Sequence, residues 1–71
     1  MTGSLYVTSS PRYARVFLDG IERGTTSLTI TDIEMGWHEV VVTKEYYRAY
    51  VEFLHIYAGE EREVEVDLDR I

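Results

Sequence analysis

Two histidines, a row of carboxylates and a few hydroxyls are the side chains of this 71-residue chain that could do chemistry. His38 or His55 could act as a general base toward Ser9, Ser10 or Thr25 as nucleophile. Neither histidine stands in a context that marks it as a base, and no Gly-x-Ser-x-Gly elbow presents a serine. A chain this short also leaves little room for an enclosed pocket, so we expect no catalytic residue. A metal site would have to join His38 to Asp19 and Asp32, yet both aspartates stand at turns, where their local backbone hydrogen bonds favour them. His38 alternates in phase with Val40 and Val42, which predicts a structural histidine, at the core or its rim, bonded to backbone. Glu63, Glu65, Asp67 and Asp69 recur at every second position. Calcium gathers roughly six to eight oxygens from curved loops, whereas one strand face sets carboxylates side by side about 6.7 Å apart. The row therefore reads as a solvated face, balanced by arginines such as Arg48 or Arg62 across the sheet. We expect no metal and no cofactor.

Composition narrows the function classes further. With 7 basic and 13 acidic residues the formal charge is −6, a sign that repels a phosphate backbone, so nucleic acid is not an expected partner. The apolar runs are strand-length, far below the roughly 20 residues of a spanning helix, and no membrane insertion by this domain is expected. Nothing at the N-terminus resembles a signal peptide. Cysteine is absent, so neither disulfides nor a thiolate zinc site can staple the small core, and its stability must come from packing.

Apolar residues recur with period two almost throughout, and no window carries helical spacing. The alternation predicts a strand from Ser4 to Thr8 with Leu5 and Val7 inward, residues 1–3 being an extension ahead of a single domain over 4–71. A second strand carries Ala14, Val16 and Leu18 inward. Asp19-Gly20 then reads as a type I′ hairpin turn, which needs positive φ at both central residues. Leu28, Ile30 and Ile33 mark another half-buried strand, Trp37 to Thr43 a central one, and Val64, Val66 and Leu68 the last. Between Tyr47 and Tyr57 the parity changes: Tyr47, Ala49 and Val51 share one face, Leu54 and Ile56 the other. An extra residue near Glu52 or Phe53, either a β-bulge or a crossing between sheets, is expected to reconcile them. About seven short, mostly antiparallel strands predict an all-β sandwich.

Tyr6, Phe17, Trp37 and Tyr50 fall out of phase with this core, joined by Val41. A small domain that exposes so much apolar surface is expected to use it. Three readings stand: the rings cover one another across neighbouring strands, they meet an adjacent domain or subunit, or they stack on a glycan.

The punctuation residues, read in order, carry a resemblance. Pro11-Arg12-Tyr13-Ala14, Val16-Phe17-Leu18-Asp19-Gly20, Gly24-Thr25-Thr26-Ser27, Gly36-Trp37-His38-Glu39-Val40-Val41-Val42, Tyr47 and Ala58-Gly59 together resemble the PEGA domain, whose pattern runs Pro-x-Gly-Ala, Asp-Gly, Gly-x-Thr-Pro, Gly-x-His-x-Val-x-Val, Gly-Tyr. The resemblance implies a seven-stranded sandwich of the transthyretin or carboxypeptidase-regulatory type. It makes Pro11, Ala14, Asp19, Gly20, Gly24, Thr26, Gly36, His38, Tyr47 and Gly59 structural motif residues. It also implies an extracellular setting in archaeal or bacterial surface-layer-type proteins, beside other domains, with a non-catalytic structural or interaction role; a carbohydrate-binding module is the alternative. Tyr13 and Tyr46 depart from the pattern by standing where it has glycine, and Ser27 by standing where it has proline. If those glycines serve positive φ, each tyrosine costs roughly 1 kcal/mol or more.

Overall fold

The computed structural model describes the whole chain, Met1–Ile71. Period-two patterning yields seven strands and no helix: β1 (Thr2–Ser10), β2 (Arg15–Leu18), β3 (Ile21–Thr25), β4 (Leu28–Glu34), β5 (Gly36–Thr43), β6 (Tyr50–Ile56) and β7 (Glu61–Asp67). They form a three-stranded sheet in the order β4-β1-β7 and a four-stranded sheet in the order β3-β2-β5-β6. Every pairing is antiparallel except β1 with β7, which is parallel. The all-β sandwich is thus the fold, with β5 central between β2 and β6 as its two-sided alternation foretold.

The inward sets of the two sheets meet in one apolar layer of 14 buried residues, among them Leu5, Val7, Val16, Val40, Val42, Leu54, Ile56 and Val66. Each fully buried aliphatic side chain there contributes about 1.5–3 kcal/mol relative to exposure. With neither disulfide nor metal to help, that layer carries the fold.

Strand direction gives the sandwich two poles. The upper pole gathers the ends of β1, β3, β5 and β7 with the loops that follow them; the lower pole gathers the β2–β3 turn, the β4–β5 corner and the β6–β7 turn. The long axis measures 38 Å against 17 Å in either cross direction.

Of three local expectations, one is met and two are not. Asp19 and Gly20 both take positive φ, 52° and 83°, in the two-residue turn between the paired Leu18 and Ile21, as a type I′ hairpin requires. β6, by contrast, carries no bulge: Tyr50 to Ile56 pairs with Val42 to Gly36 in unbroken register. Tyr47 and Ala49 precede the strand and do not set its parity, so Tyr50, Glu52, Leu54 and Ile56 point inward and Val51 is exposed. Register shifts lie instead in β3, where Val16 and Phe17 oppose Gly24 and Glu22, and in β4, where Ile30 and Ile33 oppose Leu5 and Gly3. Asp32, between them at φ 58°, absorbs the extra residue, which returns both isoleucines to the core.

Residues 2 and 3 are the second difference. They are part of β1, with Thr2 opposite Glu34 and Gly3 opposite Ile33, so the strand starts ahead of Ser4. Gly3 is buried, and hydrophobic alternation has no means of registering a glycine as an inward residue.

Tyr13 and Tyr46 both adopt positive φ, 65° and 71°. They hold the left-handed turns that glycine would hold, while their side chains remain 71% and 70% exposed. Relief of that strain outweighs the greater freedom glycine gives the unfolded chain. Tyr46→Gly is therefore expected to stabilise the domain by about 0.5–1 kcal/mol, read as a midpoint a few degrees higher in thermal unfolding.

Candidate functional site

The motif residues assemble into two clips, one at each pole. At the upper pole Ser9 Oγ donates to the Pro11 carbonyl at 2.7 Å. A hydroxyl has one proton, so in the 2.7 Å bond between Ser9 Oγ and Thr26 Oγ1 the threonine must donate. Thr26 Oγ1 in turn accepts the Ala14 N–H at 3.1 Å, and Thr26 N–H donates to the Ala14 carbonyl at 2.9 Å. The chain Ala14, Thr26, Ser9, Pro11 leaves no hydroxyl of the buried Thr26 unpaired and ties β1 to the β3–β4 connection. The peptide bonds Ser10–Pro11 and Thr26–Ser27 in this clip are cis. Past Leu68 the chain runs beside the β5–β6 loop, with Arg48 N–H donating to Asp69 O at 2.8 Å and Ile71 N–H to Tyr46 O at 3.0 Å. Tyr47, in a bridge with Arg70, packs against the core from there.

At the lower pole His38 Nδ1 donates to Asp19 Oδ2 at 2.5 Å and Nε2 donates to the Glu34 carbonyl at 2.6 Å. A carboxylate and a carbonyl only accept, so both ring nitrogens carry protons and the ring is an imidazolium. Partial burial alone would push the His38 pKa down; the bonds to Asp19 and to the Glu34 carbonyl outweigh it and hold the pKa above its ordinary 6.5. Asp19 is opposed by burial in the same way, yet the Glu39 N–H at 3.0 Å and the His38 ring bring its pKa below the usual carboxylate value. Asp19 N–H also donates to the Glu39 carbonyl at 2.9 Å. One charged pair therefore fastens the β2–β3 turn to the β4–β5 corner. Gly59, at φ 75°, completes the pole by donating its N–H to the Thr2 carbonyl at 2.9 Å.

The residues weighed for chemistry are thus dispersed. Ser9, Ser10 and Thr25 lie at the upper pole and His38 at the lower, with the sandwich between them. No group of three or more acidic or histidine side chains stands close enough to hold a metal ion. Along the acidic row, Glu63, Glu65 and Asp67 are exposed on the edge strand β7. The arginines expected to balance it do other work: Arg62 lies on β7 itself and donates to the His55 carbonyl at 3.3 Å, and Arg48 meets the tail through its backbone.

The four outward aromatics do not form one surface. Tyr6 stands on the outer face of the three-stranded sheet, Phe17 and Trp37 on the outer face of the four-stranded sheet. Tyr50 sits opposite the buried Val42 and packs against the core, where its hydroxyl donates to Glu52. That bond, with burial adding to it, raises the Tyr50 pKa. What the structure assembles is a strip on the four-stranded sheet. Phe17 adjoins Val41, Val41 adjoins Val51, Glu39 adjoins Phe53, and Trp37 adjoins His55. Trp37 is 72% exposed and Phe53 66%. The His55 ring meets Trp37 edge-on at 5.2 Å and Tyr57 at 4.4 Å between centroids, and its Nδ1 is shut from solvent with no partner. A bulge expected in β6 hides Val51 and Phe53 as members of this strip; the unbroken period two from Tyr50 to Ile56 is the signal that finds both.

A family model described as PEGA domain matches residues 2–71. No curated protein matches the chain.

Proposed function

The chain belongs to the PEGA domain family, and from that membership we propose that it works as a non-catalytic interaction module of a modular, surface-layer-type protein on the cell exterior. In this reading the outer face of its four-stranded sheet packs on a neighbouring domain or subunit. The observation that carries the proposal is the strip from Phe17 through Val41, Val51 and Phe53 to Trp37. Trp37, Phe53 and Val51 are exposed while Phe17 and Val41 are half-buried, and monomeric domains seldom leave such a contiguous apolar face without use. Burying one large aromatic ring supplies about 1.5–3 kcal/mol, so two or three rings can fix a neighbour's orientation.

A second reading, glycan binding, is favoured by the Trp37, His55 and Tyr57 rings standing side by side, because sugar rings stack on aromatic faces. One pair of measurements separates the two. Trp37 is the single tryptophan, so its fluorescence reports the strip directly. The double variant Trp37→Ser/Phe53→Ser is expected to unfold within about 0.5 kcal/mol of wild type, as exposed substitutions do, while losing the protection from hydrogen exchange that β5 and β6 gain inside the parent protein. Amide shifts at Trp37, His55 and Tyr57 on adding cell-wall glycan would move the assignment to the sugar. No protection in the parent protein would overturn the domain-packing reading.

A further inference from the structure

Charge is segregated along the long axis. Five of the seven basic residues, Arg12, Arg15, Lys44, Arg48 and Arg70, lie at the upper pole. Seven of the thirteen acidic residues, Asp19, Asp32, Glu34, Glu39, Glu60, Glu61 and Glu63, fall in the lower half, whereas Glu22 reaches up to Arg15 at 3.9 Å. Arg62 is the one basic residue among them, and its guanidinium is engaged by the His55 carbonyl. Glu45, Asp67 and Asp69 temper the upper pole without reversing it.

Each pole also offers shape and apolar surface. A groove of about 550 Å³ at the upper pole is lined by Tyr13, Arg15, Thr43, Lys44 and Glu45. Tyr13 and Tyr46, the two strained and exposed tyrosines, both stand at this end. Their backbones are bonded within the fold, to Thr26 and Ile71, but the rings are left in solvent, and strain kept at two exposed rings points to a use outside the fold. Arg15 already has Glu22 at 3.9 Å, whereas Lys44 has no ion pair within the fold; at the lower pole the exposed Glu34–Met35 corner presents a carboxylate for Lys44 and a thioether for an aromatic ring.

We propose that the upper pole of one copy docks on the lower pole of a second, head to tail, with the Glu34–Met35 corner against the Tyr13–Lys44 groove. The occupant is a like domain because the complementary charge is on this molecule itself. Such a contact is heterologous, so it repeats in a line instead of closing into a dimer. The overall charge of −6 does not prevent it. At about 0.1 M salt the screening length is about 10 Å, well below the 38 Å axis, so only the abutting poles interact. A 17 by 17 Å end offers far less than the roughly 1,200 Å² of a stable interface. Free copies therefore meet weakly, whereas copies joined through short linkers meet at an effective concentration on the order of millimolar. This surface is separate from the strip on the four-stranded sheet.

Sedimentation equilibrium of the chain at millimolar concentration tests the proposal, with folding of every variant checked by circular dichroism. Association is expected near 50 mM salt and is expected to weaken about tenfold or more by 300 mM, as for a contact made by several exposed ion pairs. Arg12→Glu/Lys44→Glu and Glu34→Lys/Glu61→Lys are each expected to lose it alone and to recover it when mixed, since mixing restores opposite charges at every contact. Monomer at all concentrations, association indifferent to salt, or association lost in Trp37→Ser/Phe53→Ser but kept in the two charge variants would each overturn the proposal.

Discussion

Replacing Gly3 with alanine is expected to destabilise the domain by about 2–4 kcal/mol, although the change adds a single methyl near the start of the first strand. A Cβ at this position would stand 2.7 Å from Ile56 Cγ2 and 2.9 Å from the carbonyl oxygens of both Tyr57 and Glu60. A side-chain methyl can move aside. The two carbonyls cannot, because they belong to the β6–β7 turn that β1 grips through Ser4 N–H to Glu60 O at 2.8 Å and Gly59 N–H to Thr2 O at 2.9 Å. Overpacking costs about 1–3 kcal/mol, and parting the turn from β1 forfeits two hydrogen bonds of about 1 kcal/mol each. For a chain of this length total stability is on the order of 5–10 kcal/mol, so thermal unfolding should begin some 10–20 °C earlier. Trimming the neighbour as well, in Gly3→Ala/Ile56→Ala set against Ile56→Ala alone, separates the causes, because alanine removes the obstructing Cγ2. Since the obstruction is mainly backbone, Gly3→Ala is expected to cost as much beside Ile56→Ala as it does in the wild type, and disappearance of that cost would show that Ile56 was the obstacle.

The second large effect is a dependence of stability on pH that His38 creates. Its pKa is raised on folding, so the proton it holds stabilises the native state fully below about 6.5 and progressively less as pH rises through the raised value. Asp19 acts with the opposite sign: its lowered pKa adds stability above the ordinary carboxylate range, lost as pH falls through the lowered value. The clip is therefore strongest between about pH 4 and 6.5. Charged hydrogen bonds contribute about 1.5–3 kcal/mol, and the Asp19 side chain is 46% exposed, which screens the pair. We expect His38→Ala to cost about 1–2 kcal/mol at pH 6 and almost nothing extra at pH 9. Urea unfolding of both proteins across that range gives the difference directly. A loss that is the same at both pH values would mean that His38 acts through packing and not through its charge.

Much of this was legible in the sequence, for a physical reason. The inward aliphatic sets of β1, β2, β5 and β7 repeat at every second residue, and the Asp19-Gly20 turn has a chemistry that few other conformations share. His38 was readable as structural from its phase with Val40 and Val42, and the structure supplies its partners. What escaped was whatever depends on two segments at once. Tyr6 and Trp37 are both out of phase with the core, yet they lie on outer faces of different sheets, and alternation along one strand says nothing about which sheet the strand joins. Gly3 has no side chain for a pattern to detect; its constraint is the space left by the β6–β7 turn. The β6 parity failed because a loop residue, Tyr47, packs against the core as firmly as a strand residue would. The pole-to-pole separation of charge was hidden likewise, since Arg12, Lys44 and Arg70 are far apart along the chain and meet only through the topology.

The parallel alignment of β1 with β7 has a mechanical meaning. The chain enters the sandwich at the base of β1 and leaves it beyond the top of β7, so tension between its two ends slides these neighbours past one another. Seven consecutive residues of β1, Ser4 to Ser10, are in register with Glu61 to Asp67, and their evenly spaced bonds lie across the pull. They must rupture as a set instead of peeling open singly, which gives a domain without covalent cross-links resistance to stretching along its length.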